Sequence, residues 1–164
     1  MTAAREARTH AWRIGTSSPS PAPGTTGAVM SRDLITTDVG VSLEQARARM
    51  EEHGVHHLLL TDRGRIVALV SDRNLARGLV IGPPMRDDER YRRHPVFQVA
   101  AYRLNTIEET APVYEAAAML LDLGISALPV VNDADEIVGI LTSRDLLHCL
   151  AHDLRRSLGH LPAA

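Results

Sequence analysis

The sequence predicts an α/β protein made of two β-α-β-β-α repeats packed about a pseudo-two-fold axis. Three observations carry this. Residues 29–54 recur without a gap as residues 99–124, with Leu34 answering to Leu104, Thr36 to Thr106, Ala46 to Ala116, Met50 to Leu120 and Gly54 to Gly124. After one inserted residue, Ile66 through Leu75 recurs as Ile137 through Leu146. Each copy also carries helix and strand signals in the same order. Units of roughly fifty residues bury too little surface to stand alone, so two of them are expected to share a fold, with a cleft between the halves as the natural ligand site.

The first repeat opens with an extended stretch at residues 34–37. Ser42 and Gln45 have the spacing of a capping box that starts a helix, and Leu43, Ala46 and Met50 fall on one face of it. Gly54 ends that helix. Residues 55–61 form a leucine-rich strand, Asp62, Arg63, Gly64 and Arg65 a turn, and residues 66–70 a second strand. Ser71 or Asp72 then opens a helix that runs to about Val80. In the second repeat, residues 105–107 are extended and residues 112–123 form a helix with Pro112 in its first turn. Strands at 125–131 and 137–141 flank a turn at 132–136, and a helix spans 143–152.

These boundaries divide the chain into an N-terminal tail (1–27), first repeat (28–81), linker (82–97), second repeat (98–152) and C-terminal tail (153–164). The N-terminal tail contains Ser17, Ser18, Pro19, Ser20, Pro21 and Pro23, a composition expected to be disordered. With the repeat beginning near Val29, Met30 offers a second candidate start beside Met1, and the sequence leaves the two open. Gly82, Pro83 and Pro84 break the helix before a mixed-charge connector that is expected to be a solvated loop.

Composition narrows the function. Eighteen Lys and Arg against twenty Asp and Glu give a net charge of −2, a poor match to nucleic acid. One cysteine, Cys149, excludes an intrachain disulfide and a multi-cysteine metal site. No run approaches the roughly 18 apolar residues of a membrane span, and the first thirty residues contain no uninterrupted signal core, so the expectation is cytoplasmic. Aromatic residues make up only 3% of the chain, so the core must be built from Leu, Val, Ile and Ala.

Chemistry concentrates where the last strand of each repeat meets its last helix. Thr142 and Asp145 in the second repeat, and Ser71 and Asn74 in the first, share a [Ser/Thr]-x-x-[Asp/Asn] pattern. A strand running into a helix presents free N–H groups to an anion, a hydroxyl there donates to phosphate, and an aspartate three residues on accepts from a ribose diol. The same pattern also serves as a helix cap. Sequence alone leaves both open.

With that pattern recurring, the chain resembles the tandem CBS domain, or Bateman module, over about residues 29–150. Leu123 through Val131 and Val138 through Asp145 are the specific match. The resemblance implies a regulatory module binding AMP, ADP or ATP between paired units, and a disc-shaped homodimer. It assigns phosphate and ribose contacts to Thr142 and Asp145, and places Leu104, Asn105 and Thr106 at the base. Ile125, Ser126, Pro129 and Arg144 join that set, with Thr36, Ser71, Arg73 and Asn74 in the first repeat. Asn74 departs from the pattern, since an amide has one acceptor oxygen and no charge. One well-formed site, anchored on Asp145, is therefore expected.

His53, His56 and His57 form a second constellation. Val55, His56, His57 and Leu58 resemble the Val-His-Arg-Leu segment of AMP-activated kinase γ subunits, which implies phosphate contact by His56 or His57 and a pH dependence near neutrality. Zinc binding by the trio lacks a fourth ligand nearby in sequence. No nucleophile elbow or Walker loop is present, so no enzymatic activity and no catalytic cofactor are expected. A separate, unidentified partner must then receive the signal. The rival readings are a ligand-free dimerisation scaffold and a sensor of another adenosyl ligand such as S-adenosylmethionine.

Overall fold

The computed structural model describes residues 4–8, 11–78 and 93–158. They form a mixed α/β protein that divides into two compact units, one holding Asp33–Leu104 and the other beginning again at Asn105. Among the described residues no helix is long and apolar enough to cross a membrane.

The first-repeat unit contains β2 (Thr36–Asp38), α2 (Leu43–His53), β3 (His57–Asp62), β4 (Arg65–Ser71) and α3 (Asp72–Gly78). Its sheet has the order β2-β3-β4, with β2 parallel to β3 and β3 antiparallel to β4. The predicted capping box is present. Ser42 Oγ accepts the Gln45 N–H at 3.2 Å, and Gln45 Oε1 accepts the Ser42 N–H at 2.9 Å. Gly54 closes α2 in the left-handed region at φ 63°, a conformation glycine adopts without a Cβ penalty.

Leu43, Ala46 and Met50 then face Leu58, Leu60, Ala68 and Val70 in one core, joined by Leu75 and Val96. A short 3₁₀ turn, Val96–Gln98, is tied to the start of α2 by Leu43 N–H to His94 O (2.8 Å) and Val96 N–H to Val41 O (2.8 Å). Arg63 (φ 48°) and Gly64 (φ 75°) link β3 to β4. Both are left-handed, as the tight turns that match strand twist require.

The second-repeat unit contains β5 (Leu104–Glu108), α4 (Val113–Leu123), β6 (Ala127–Val131), β7 (Ile137–Thr142) and α5 (Ser143–Leu158). β5 runs parallel to β6, and β6 antiparallel to β7. Ala116 and Leu120 of α4 pack with Ile107, Leu128, Val130, Val138 and Leu141. Gly124 repeats the left-handed helix end at φ 63°. The β-α-β-β-α order therefore appears twice.

Four details correct the sequence reading. Within the expected tail, residues 4–8 and 11–27 do not form a free tail: β1 (Ala4–Arg8) adds to the edge of the sheet ordered β1-β5-β6-β7. Trp12 is only 1% exposed, and exchanges backbone hydrogen bonds with Ile66 at 2.7 and 2.8 Å. The Pro/Ser stretch has no core of its own, yet the repeats supply partners. Ser18 N–H donates to Glu109 Oε2 (2.9 Å), and α1 (Thr26–Val29) is anchored by Thr26 N–H to Ala111 O and Gly27 N–H to Glu109 O, both 2.8 Å.

Pro112 is the N-cap of α4, at φ −60° and ψ 139°, and not a first-turn residue. α5 continues past His152 to Leu158, because no glycine or proline interrupts Asp153, Leu154, Arg155 and Arg156. Val96, assigned to the linker, is fully buried. Residues 79–92, with most of the expected linker, and residues 159–164 lie outside the described residues.

Candidate functional site

In the second-repeat unit, β7 ends at Thr142 and α5 begins at Ser143. Thr142 donates its N–H and its hydroxyl to Asp145 Oδ2, each at 2.7 Å, and the Asp145 N–H returns to Thr142 Oγ1 at 3.3 Å. This is a reciprocal cap on a sixteen-residue helix, so the structural role of the motif is real. It occupies one carboxylate oxygen for both donors. Oδ1 stays available to accept, beside the positive end of the helix dipole.

Across the strand pair, Ala127 lies opposite Thr142. Ser126 O accepts the Ser143 N–H at 3.0 Å, which fixes the start of β6 against the start of α5. Ile125 ends the turn after Gly124, its N–H donating to Leu120 O at 3.1 Å. Pro129 lies in the fully buried strand β6, paired with Ile140. Arg144 is exposed in the first turn of α5.

Thr106 carries the least expected feature. It is 1% exposed, and its Oγ1 has no hydrogen-bond partner among the described residues. A buried hydroxyl left unpaired costs about 1–3 kcal/mol, so it calls for a reason. Its neighbours on β5, Leu104 and Asn105, are buried and half-buried.

The first-repeat unit repeats the junction with altered chemistry. Ser71 donates its N–H (2.9 Å) and hydroxyl (2.6 Å) to Asn74 Oδ1, and the Asn74 N–H returns to Ser71 Oγ at 3.2 Å. Because the Ser71 N–H can only donate, the amide oxygen must face it. The group left over is an NH₂, which donates where Asp145 accepts. Thr36 is half-buried, and its carbonyl accepts from Arg49 Nε at 2.8 Å.

Of the histidines, His57 lies opposite Ser71 in the strand pairing. His56 Nδ1 sits 3.0 Å from Asp72 Oδ2, and Asp72 N–H donates to His56 O at 3.0 Å. His53 lies in the last turn of α2, its Nε2 3.8 Å from Glu52 Oε2. His56 and Arg73 also line a cavity of about 600 Å³ between α2 and α3, floored by Met50, Val55 and Leu75; Ser71 and Asn74 do not line it.

Sequence reasoning missed Asp72 and Ser143. Each directly follows the junction hydroxyl, and each sends its N–H back to the residue that precedes its partner strand. Their position after Ser71 and Thr142 was the available signal.

The CBS domain family matches this chain at residues 27–81 and 92–152. A CBS domain-containing protein of Dictyostelium discoideum is 29% identical over 127 residues, covering 74% of this chain and 88% of that protein. The human 5'-AMP-activated protein kinase subunit gamma-3 is 27% identical over 125 residues, covering 73% of this chain but only 26% of that protein. Among solved structures, a CBS domain protein from Pyrobaculum aerophilum complexed with AMP superposes with a TM-score of 0.64 at 27% identity, covering 78% of this chain and 98% of that one. With both repeats matched over more than half of its length, the chain belongs to the CBS domain family as a tandem pair.

Proposed function

We propose that this CBS pair is a regulatory module that binds an adenine nucleotide, AMP, ADP or ATP, at the Thr142–Asp145 junction of its second repeat. The observation that carries the reading is the buried, unpartnered hydroxyl of Thr106, on the strand expected to frame the base. It is joined by the spare carboxylate oxygen of Asp145, which suits a ribose diol. Similarity to a CBS protein complexed with AMP and to a 5'-AMP-activated kinase subunit supports the same ligand class. Arg144, exposed in the first turn of α5 one residue before Asp145, supplies charge that a phosphate tail needs and that a cationic sulfonium such as S-adenosylmethionine would not use.

The first-repeat junction, with Asn74, is the weak or empty one. The module acts in the cytoplasm as a homodimer, without catalysis of its own, and passes a change of shape or assembly to a separate protein. Such a response requires the nucleotide to prefer one shape over another.

Thermal unfolding with and without saturating AMP, ADP, ATP and S-adenosylmethionine tests this, because a ligand that binds the folded state raises the melting temperature. A rise with one adenine nucleotide, reduced in Asp145→Asn, is the expected result. No rise with any of them overturns the reading in favour of a ligand-free scaffold.

A further inference from the structure

β5 has two edges, and both are taken: β6 pairs along one and β1 along the other. The matching strand of the first repeat, β2, ends its sheet with no strand beyond it among the described residues. Burial differs too. Leu34 and Thr36 are half-buried, whereas the matching Leu104 and Thr106 are 2% and 1% exposed.

The two repeats also satisfy this edge by different means. Leu59 N–H to Ile35 O (3.1 Å) and Val39 N–H to Thr61 O (3.0 Å) turn those groups of Ile35 and Val39 toward β3. Strand alternation therefore turns the Thr36 carbonyl outward, where Arg49 Nε of α2 donates to it at 2.8 Å. The position matching Arg49 in α4 is Met119, which has no donor. The outer edge of β5 is thus left to an extended chain or to a ligand, because the main-chain groups along a strand edge need partners.

We propose that β1 is a built-in competitor of the nucleotide: it holds the edge of β5 that the adenine base needs, and nucleotide at the Thr142–Asp145 junction sets it free. This rests on the nucleotide reading above, which puts the base against Leu104, Asn105 and Thr106, and it adds the regulation of that site. Adenine presents a donor beside an acceptor, as the backbone of an added strand does, so base and strand ask for the same groups. They cannot both have them. β1 is five residues long, and a short edge strand opens at a small fraction of the free energy of global unfolding. Nucleotide binding can therefore displace it while the rest of the fold stays intact. Its release is a change of shape that a separate partner can read.

The test uses the full chain. Successive N–H groups on a strand point to opposite sides, so proline at two neighbouring positions removes a donor to β5 in either register. Glu6→Pro with Ala7→Pro is titrated calorimetrically with AMP, ADP and ATP beside the wild type. The variant is expected to bind about tenfold more tightly, the factor released when a strand docked in about 90% of molecules no longer closes the site. Hydrogen exchange of the unaltered chain is the second readout, and it decides the matter should the variant fail to fold. Saturating amounts of the tightest of the three nucleotides should speed exchange at residues 4–8. Equal or weaker affinity in a folded variant, or exchange at residues 4–8 that nucleotide leaves unchanged or slows, overturns the competition and leaves the nucleotide site standing. Binding of none of the three by either protein overturns both.

Discussion

Thr142 places both its backbone N–H and its hydroxyl on a single oxygen of Asp145, each at 2.7 Å. The cap and the ligand therefore need different oxygens of one carboxylate, which makes the two roles separable by substitution. Asp145→Asn retains an oxygen for Thr142 and so keeps most of the cap, but replaces the spare acceptor with a donor and removes the charge. Its expected effect on the melting temperature of the free protein is small. Adenine nucleotide affinity should fall roughly 10- to 100-fold, the equivalent of one hydrogen bond to a charged group. Calorimetric titration beside thermal unfolding separates the two, and equal affinity in the variant would confine Asp145 to capping.

Asn74→Asp is the reciprocal change. Ser71 already meets Asn74 in the geometry that Thr142 makes with Asp145, so the substitution supplies the missing acceptor without new backbone strain. The expected outcome is a second nucleotide site per chain, read as a stoichiometry rising from one to two. Two equal sites in the unaltered protein would sink the asymmetry.

How far the sequence carried this reading varies by element. The Ser42–Gln45 capping box, the Gly54 and Gly124 helix ends and the β-α-β-β-α order were legible, because each rests on side chains within a few residues of one another. The ordering of residues 11–29 was not. It depends on bonds such as Ser18 to Glu109, whose partners lie far apart in the chain and follow no local spacing. At the site, the Thr142–Asp145 and Ser71–Asn74 pairs were visible as a repeated pattern. The isolation of the Thr106 hydroxyl was not, since a threonine reads the same whether or not it finds a partner.

The β3–β4 turn offers a test of local strain. Arg63 holds φ 48°, a region that costs most L-residues about 1–2 kcal/mol and that asparagine tolerates. Arg63 is exposed. Arg63→Asn should therefore stabilise the fold by about 1 kcal/mol, raising the melting temperature by ~2–4 °C for a chain of this size, without altering nucleotide affinity. A lower melting temperature would mean that Arg63 makes a contribution greater than its backbone strain.

Thr106→Val sets stability against binding at one atom. Valine keeps the β-branched shape that suits a strand and removes the hydroxyl that finds no partner among the described residues. If that hydroxyl is held for a ligand, the free variant should be more stable by roughly 1–3 kcal/mol, because a buried unpaired group is gone. Its nucleotide affinity should fall at the same time, by roughly tenfold for one lost neutral hydrogen bond. The two effects have opposite sign in one pair of experiments, denaturant unfolding without nucleotide and calorimetric titration with it. A variant that gains stability and binds as tightly as the wild type would separate Thr106 from the ligand, and the nucleotide reading would then rest on Asp145 alone.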